Sequence, residues 1–220
     1  MSKATVLQVN LAVPEQSGAK NVGTTGINKQ PVDHPVAVRA PGPKRTGLHS
    51  GLVGDQIFDT KHHGGDDQAV YVYAREDYDW WEQQLGRELR GGLFGENLTT
   101  EGLDVNGAIV GETWRIGDEL VLRTTFGRIP CATFQWKMGE PRWVKRFGAE
   151  RRPGAYLRVV QPGDVRAGDE VRILDRPAHG VTIGDSYHAW LHDAGRLREY
   201  LELEDLPEGL RADIRRKLKL

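Results

Sequence analysis

Cys131 is the only cysteine in this 220-residue chain, and it ends the segment Arg128-Ile-Pro-Cys131. A thiolate is both a nucleophile and a soft metal ligand, and a guanidinium nearby favours it over the neutral thiol. Cys131 is therefore the leading candidate for chemistry, with Arg128 as the group that tunes it. The competing reading is a small core hydrophobe, which an isolated cysteine usually is. A second candidate lies in Lys61-His-His-Gly-Gly-Asp66, where His63 stands beside Gly64 and Gly65. Paired glycines allow backbone to approach a ligand, and an imidazole can carry a proton near neutral pH. A turn whose histidines bond nearby carbonyls accounts for the same residues.

Two further loops carry candidate binding groups. In Gly42-Pro-Lys-Arg-Thr-Gly47, the side chains of Lys44, Arg45 and Thr46 and the backbone amides suit a phosphate. A plain basic turn is the alternative. In Gly92-Leu-Phe-Gly-Glu-Asn-Leu98, Glu96 and Asn97 can present an acceptor and an amide to the edge of a heterocycle, against a reading as turn chemistry. A third scheme is a divalent metal held by His62, His63 and Asp66 or Asp67. Adjacent histidines on extended backbone point to opposite faces, so only one could ligate unless the chain turns sharply.

Composition limits the classes. One cysteine excludes an intrachain disulfide and a four-thiolate iron–sulfur cluster, so electrons, if used, come from another protein or cofactor. Thirty Lys and Arg against thirty-one Asp and Glu give a net charge of −1, which argues against bulk nucleic-acid binding. Residues 1–10 carry no continuous apolar stretch of the signal type, and no later run has the length of a membrane span, so a cytoplasmic, membrane-free protein is expected. A chain of this length buries about 70% of its unfolded surface, enough for one sizeable core.

The elements that must position these groups are β-rich until about residue 176. Thr5–Val13, Pro35–Arg39 and Ala69–Tyr73 read as strands. Tyr78, Trp81 and Leu85 recur at helical spacing over 77–85, with Asp79 and Glu82 as a capping pair. Gly117-Asp-Glu-Leu-Val-Leu-Arg123 is echoed by Gly168-Asp-Glu-Val-Arg-Ile-Leu174, a turn and strand used twice. Short strands among 27 glycines and 11 prolines predict a curved, barrel-like sheet. After Pro177 the period changes. Ile183, Tyr187, Trp190 and Leu191 predict a helix capped by Thr182, Leu197, Tyr200 and Leu201 a second, and Leu210, Ile214 and Leu218 a third. The expected division is a β-barrel-like α/β domain over 1–176 and a three-helix subdomain over 177–220. The basic Arg215-Arg-Lys-Leu-Lys219 end reads as a solvated helix face.

The order Lys44, Gly54-Asp55, His63-Gly-Gly65, Ala69-Val-Tyr71, Tyr78-Asp-Trp-Trp81, Phe94-Gly-Glu-Asn-Leu98, Gly117-Asp118, Arg128-Ile-Pro-Cys131 and Gly168-Asp169 resembles the MOSC domain, the C-terminal domain type of molybdenum-cofactor sulfurases. The resemblance runs from about Val6 to Leu174. It is greatest to the stand-alone YiiM-type branch, whose three-helix ending the tail also resembles. It implies a β-barrel-like α/β fold that binds the molybdenum cofactor (molybdopterin), and reduction of N-hydroxylated compounds such as hydroxylaminopurines. On that reading Cys131 ligates molybdenum, Arg128 faces the anionic metal group, and Lys44, Arg45 and Thr46 hold the pterin phosphate. Gly64, Gly65, Glu96, Asn97 and His63 orient pterin or substrate, His63 also passing a proton. An external electron-transfer protein or reductase recharges the centre, and a homodimer is compatible. The chain lacks the pyridoxal-phosphate domain of full sulfurases, so no pyridoxal phosphate is expected. Phe126-Gly127 stands where the branch suggests a Gln-Pro-like pair. The alternative is a non-redox cofactor carrier or sulfur relay in which Cys131 holds a persulfide.

Overall fold

A computed structural model describes residues 3–19, 22–204 and 206–220, so Met1 and Ser2 of the segment read for a leader lie outside the described residues. The chain opens with β1 (Thr5–Ala12), the short pair β2 (Glu15–Gln16) and β3 (Thr24–Thr25), β4 (Lys29–Val32) and β5 (Val36–Val38). A long loop bearing the 42–47 and 61–66 segments leads to β6 (Val70–Ala74), α1 (Arg75–Leu85) and β7 (Leu98–Glu101). The hairpin β8 (Thr113–Ile116) and β9 (Leu120–Phe126) precedes α2 (Ala132–Met138) and α3 (Trp143–Ala149). β10 (Ala155–Gln161), β11 (Gly163–Val165) and β12 (Val171–Asp175) follow, then α4 (Ile183–His192), α5 (Ala194–Tyr200) and α6 (Glu208–Leu218).

Eight strands form one sheet in the order β12-β8-β9-β10-β6-β7-β1-β4, antiparallel except for the β6–β7 pair. The sheet curls until the start of β1 meets the chain entering β12, where the Val6 N–H donates to the Asp169 carbonyl (2.9 Å) and the Gly168 N–H to that of Val6 (2.8 Å). The expected barrel is thus a strongly curved sheet with an open ladder, joined at this seam by an isolated bridge.

Alternation along β6 explains how both faces are covered. Val70, Val72 and Ala74 enter the core inside the curl, while Tyr71 and Tyr73 enter a second, aromatic cluster with Tyr78, Trp81, Phe94, Phe134, Trp143 and Phe147. A two-residue period with no exposed face is what a central strand requires. The tail helices place Ile183, Ala189, Leu197, Leu210 and Ile214 in the same inner core as the strands. The Asp185 N–H donates to Thr182 Oγ1 (2.9 Å), which confirms that cap.

Two local expectations change. Asp79 and Glu82 do not cap α1. The helix begins after Ala74 without a side-chain cap, and both carboxylates instead clamp Arg75, at 2.7 and 2.6 Å. The region after Cys131, read as part of a β-rich body, holds α2 and α3, whose buried pairs Phe134/Met138 and Trp143/Phe147 are each spaced by four. Among the described residues no helix is long and apolar enough to cross a membrane.

Candidate functional site

Cys131 lies where β9 gives way to α2. Pro130 ends the extended run, and Cys131 takes the position before the helix with extended backbone (φ −128°, ψ 173°). Phe134 and Met138 sink one face of α2 into the aromatic cluster, which holds the cysteine half-buried at its edge. Arg128 is buried beneath it, its guanidinium 4.1 Å from the Phe134 ring centroid and 5.4 Å from that of Tyr71. Among the described residues Arg128 Nη1 is fully enclosed and has no hydrogen-bond partner. A buried donor left unpaired is costly, so its presence points to a group the site is built to receive.

Burial pushes the Cys131 thiol up, but His63 beside it, the Arg128 cation and the Phe134 amide outweigh that and bring its pKa from 9.0 to about 6. The sulfur is a thiolate at neutral pH. His63 reaches it because Gly64 (φ 83°) and Gly65 (φ 85°) turn the chain through left-handed backbone. A Cβ on Gly65 would stand 2.8 Å from the Lys44 backbone N and Cα, and one on Gly64 2.7 Å from the His49 carbonyl oxygen. The glycine pair therefore packs the 61–66 turn directly on the 42–49 loop. His62, also on the cleft wall, pairs with Asp59, its Nδ1 2.9 Å from an exposed carboxylate oxygen.

Two cavities meet at the cysteine. A cleft of about 860 Å³ runs from Cys131 and His63 past Phe126 and Tyr156 to Trp190 and the start of α6. A smaller pocket of about 110 Å³ lies behind, lined by Arg128, Asn97, Lys29 and Asp55, and shares Cys131, His63 and Tyr156 with the cleft. Its polar base is internally paired. Asp55 accepts from Lys29 Nζ (2.5 Å), Ser50 Oγ (2.7 Å), Asn97 Nδ2 (3.0 Å) and the Ala12 N–H (2.9 Å). Burial raises the Asp55 pKa, yet Lys29 and these donors hold it below the usual carboxylate value.

The sequence candidates fall into three groups. Cys131, Arg128, His63, Gly64 and Asn97 line the cavities. Glu96 does not: it is fully buried, accepting from Tyr78 Oη (2.8 Å), Thr99 Oγ1 (2.8 Å) and the Gly92 N–H (2.5 Å), and burial raises its pKa. Lys44, Arg45 and Thr46 are exposed and line neither cavity, although Lys44 feels Asp59 and Asp213, two residues of the cleft wall. Burial, first, lowers the Lys44 pKa.

The divalent metal scheme lacks its ligands. Among the described residues no three His, Cys, Asp or Glu converge, since Asp66 accepts from the Gly42 N–H (2.9 Å) and Asp67 pairs with Arg158 (2.8 Å). What does converge is one thiolate, one unpaired buried guanidinium and one imidazole, a donor set that fits an anionic, thiophilic group such as a pterin-bound molybdenum centre. Sequence reasoning missed Tyr156 and the Lys29–Asp55 pair. Nothing near Tyr156 in sequence marks it, and Gly54-Asp55 entered only as one step of the family resemblance.

The MOSC domain description matches residues 59–172, a span that holds Cys131, Arg128, His63, Glu96 and Asn97 but begins after Lys44. YflK of Bacillus subtilis (strain 168) is 32% identical over 217 residues, which cover 96% of this chain and 93% of that protein. A protein named Reductase from Gibberella moniliformis (strain M3125 / FGSC 7600) is 30% identical over 157 residues, 70% of this chain but 26% of that much longer one. The crystal structure of YiiM from Geobacillus stearothermophilus aligns at TM-score 0.75 and 25% identity, covering 98% of this chain and 99% of that one.

Proposed function

The chain belongs to the MOSC domain family, whose members are associated with the molybdenum cofactor, and on that premise we propose that it is a molybdenum-cofactor-dependent reductase of N-hydroxylated compounds. The observation that carries this reading is Cys131 itself, a thiolate at neutral pH beside a buried guanidinium with an unpaired Nη1. In this role Cys131 is the protein's ligand to molybdenum. The cofactor supplies the two-electron chemistry of R–NH–OH + 2 e⁻ + 2 H⁺ → R–NH₂ + H₂O, with electrons from an external reductase.

The protein's own groups position and protonate. Arg128 holds the sulfur ionised and offers Nη1 to an anionic oxygen. His63 reaches the sulfur and the cleft alike, so its imidazole can deliver a proton to the departing hydroxide. Asn97 steadies the small pocket through Asp55 and the Tyr71 N–H (3.1 Å). Gly64 and Gly65 set the path that aims His63, and Glu96 acts at a distance, bracing the 92–97 turn. Lys44, Arg45 and Thr46, exposed outside both cavities, are the proposed phosphate contacts.

The test is elemental analysis and turnover of protein made in a cofactor-competent host. Wild type should retain molybdenum and reduce 6-hydroxylaminopurine with a reductase supplied. Cys131→Ser should lose both while keeping its fold. Full turnover in molybdenum-loaded Cys131→Ser defeats the ligand assignment. A persulfide on Cys131 by mass spectrometry, with molybdenum-replete wild type inert across several donors, replaces the reductase by a sulfur carrier.

A further inference from the structure

Tyr156 lines both cavities, as Cys131 and His63 do. Its ring is fixed on β10, centred 5.0 Å from that of Tyr71, its register partner on β6. On the other side the β9–β10 ladder shifts register between Tyr156 and Leu157. A bulge of this kind re-aims a side chain, and bulges gather beside active sites.

The neighbouring phenols show what is unusual here. Tyr71 Oη donates to the Pro153 carbonyl (2.8 Å), Tyr73 Oη to that of Arg152 (3.1 Å), and Tyr78 Oη to Glu96 (2.8 Å). Among the described residues the Tyr156 hydroxyl makes no such bond, and it is not sealed in the core as the unpaired atoms of Arg128 and Trp143 are. A phenol that lines both cavities and spends its hydroxyl on no protein partner is a donor and acceptor available to a ligand atom.

We propose that Tyr156 is a substrate-contacting residue, its hydroxyl hydrogen-bonding the N-hydroxyl oxygen of the bound compound and so selecting N–OH over the N–H product. The inference rests on the reductase reading for the identity of that oxygen. Selection for the N–OH form helps the product amine to leave, since the amine lacks the atom Tyr156 holds.

The experiment uses oxidised, molybdenum-loaded protein with no electron donor, so that binding is read without turnover. Calorimetry with 6-hydroxylaminopurine and with adenine gives the preference for the N-hydroxyl group. Wild type should favour the hydroxylated base by about five- to tenfold, the effect of one added hydrogen bond, and Tyr156→Phe should bind both alike. Tyr73→Phe, which removes a hydroxyl outside the cavities, should keep the preference. Equal preference in wild type and Tyr156→Phe overturns the proposal, as does a wild type that does not distinguish the two bases. If Tyr156→Phe fails to fold, Tyr156→Leu replaces it, and retention of the preference there also overturns the proposal. Turnover with a donor is scored separately. Wild type that turns over without the binding preference sinks the Tyr156 assignment alone, and wild type that shows the preference without turnover sinks the reductase alone.

Discussion

Replacing Arg128 with methionine removes a buried cation while keeping an apolar stem against Phe134 and Tyr71, and its effect on Cys131 can be worked through. The native thiol pKa of about 6 against an ordinary 9.0 is a preference for the thiolate of about 4 kcal/mol. That surplus remains after burial has acted in the opposite direction, with His63, Arg128 and the Phe134 amide supplying it. At an effective dielectric near 20, one charge about 8 Å away contributes about 2 kcal/mol, roughly 1.5 pH units. Arg128→Met should therefore lift the midpoint from about 6 to between about 7 and 8, cutting the thiolate fraction at neutral pH from about nine-tenths to about half or less. Because the chain has one cysteine, the pH profile of alkylation or of thiolate absorbance belongs to Cys131 alone. The midpoint is the quantity to read, since a thiolate of higher pKa is intrinsically more nucleophilic and partly masks the loss in rate. A midpoint that stays at the wild-type position would refute the claim that Arg128 tunes this thiol.

Three further outcomes follow from the same geometry. Gly65→Ala forces a side chain onto φ 85° and against the Lys44 backbone, so thermal unfolding should show a loss of about 1–3 kcal/mol, and the Cys131 midpoint should rise as His63 is displaced. Asp55→Ala leaves Lys29 buried without its counter-ion, and denaturant titration should show a loss of about 3–5 kcal/mol. Cofactor-free wild type should gain stability over Cys131→Ala as pH rises from about 6 to 9.0, because the native thiol is ionised there while the unfolded one keeps its proton; below about 6 the gain vanishes, and a difference flat with pH contradicts the lowered pKa.

The tail was legible because Ile183, Tyr187, Leu210 and Ile214 recur over helices long enough to show a period. α2 and α3 were not, since seven residues each give only two large buried side chains, and aromatic content there suits a strand equally well. Cys131, Arg128 and His63 could be picked out by chemistry, because few residue types ionise near neutral pH or ligate soft metals. Glu96 reads from sequence as an acceptor for the edge of a heterocycle, because a glycine-flanked carboxylate looks like part of an open turn, and only the fold shows Tyr78 and Thr99 converging on it. Tyr156 was invisible for the opposite reason. Its role comes from a register shift and from neighbours on β6 and β9, none of which the local sequence encodes.

The seam between β1 and the chain entering β12 also sets an order of events during synthesis. Val6 finds its partner in Asp169, so the first strand leaves the ribosome long before the residues that complete its pairing exist. Its other neighbours come earlier, β4 soon after and β7 midway, leaving β1 held on one stretch by a partial sheet while its start waits. Contacts so far apart in sequence are slow to form. The cleft beside Cys131 is finished later still, because α6 supplies part of its wall. A nascent chain stalled before residue 168 would thus carry the thiol, its arginine and its histidine in a sheet whose edges are still unsealed.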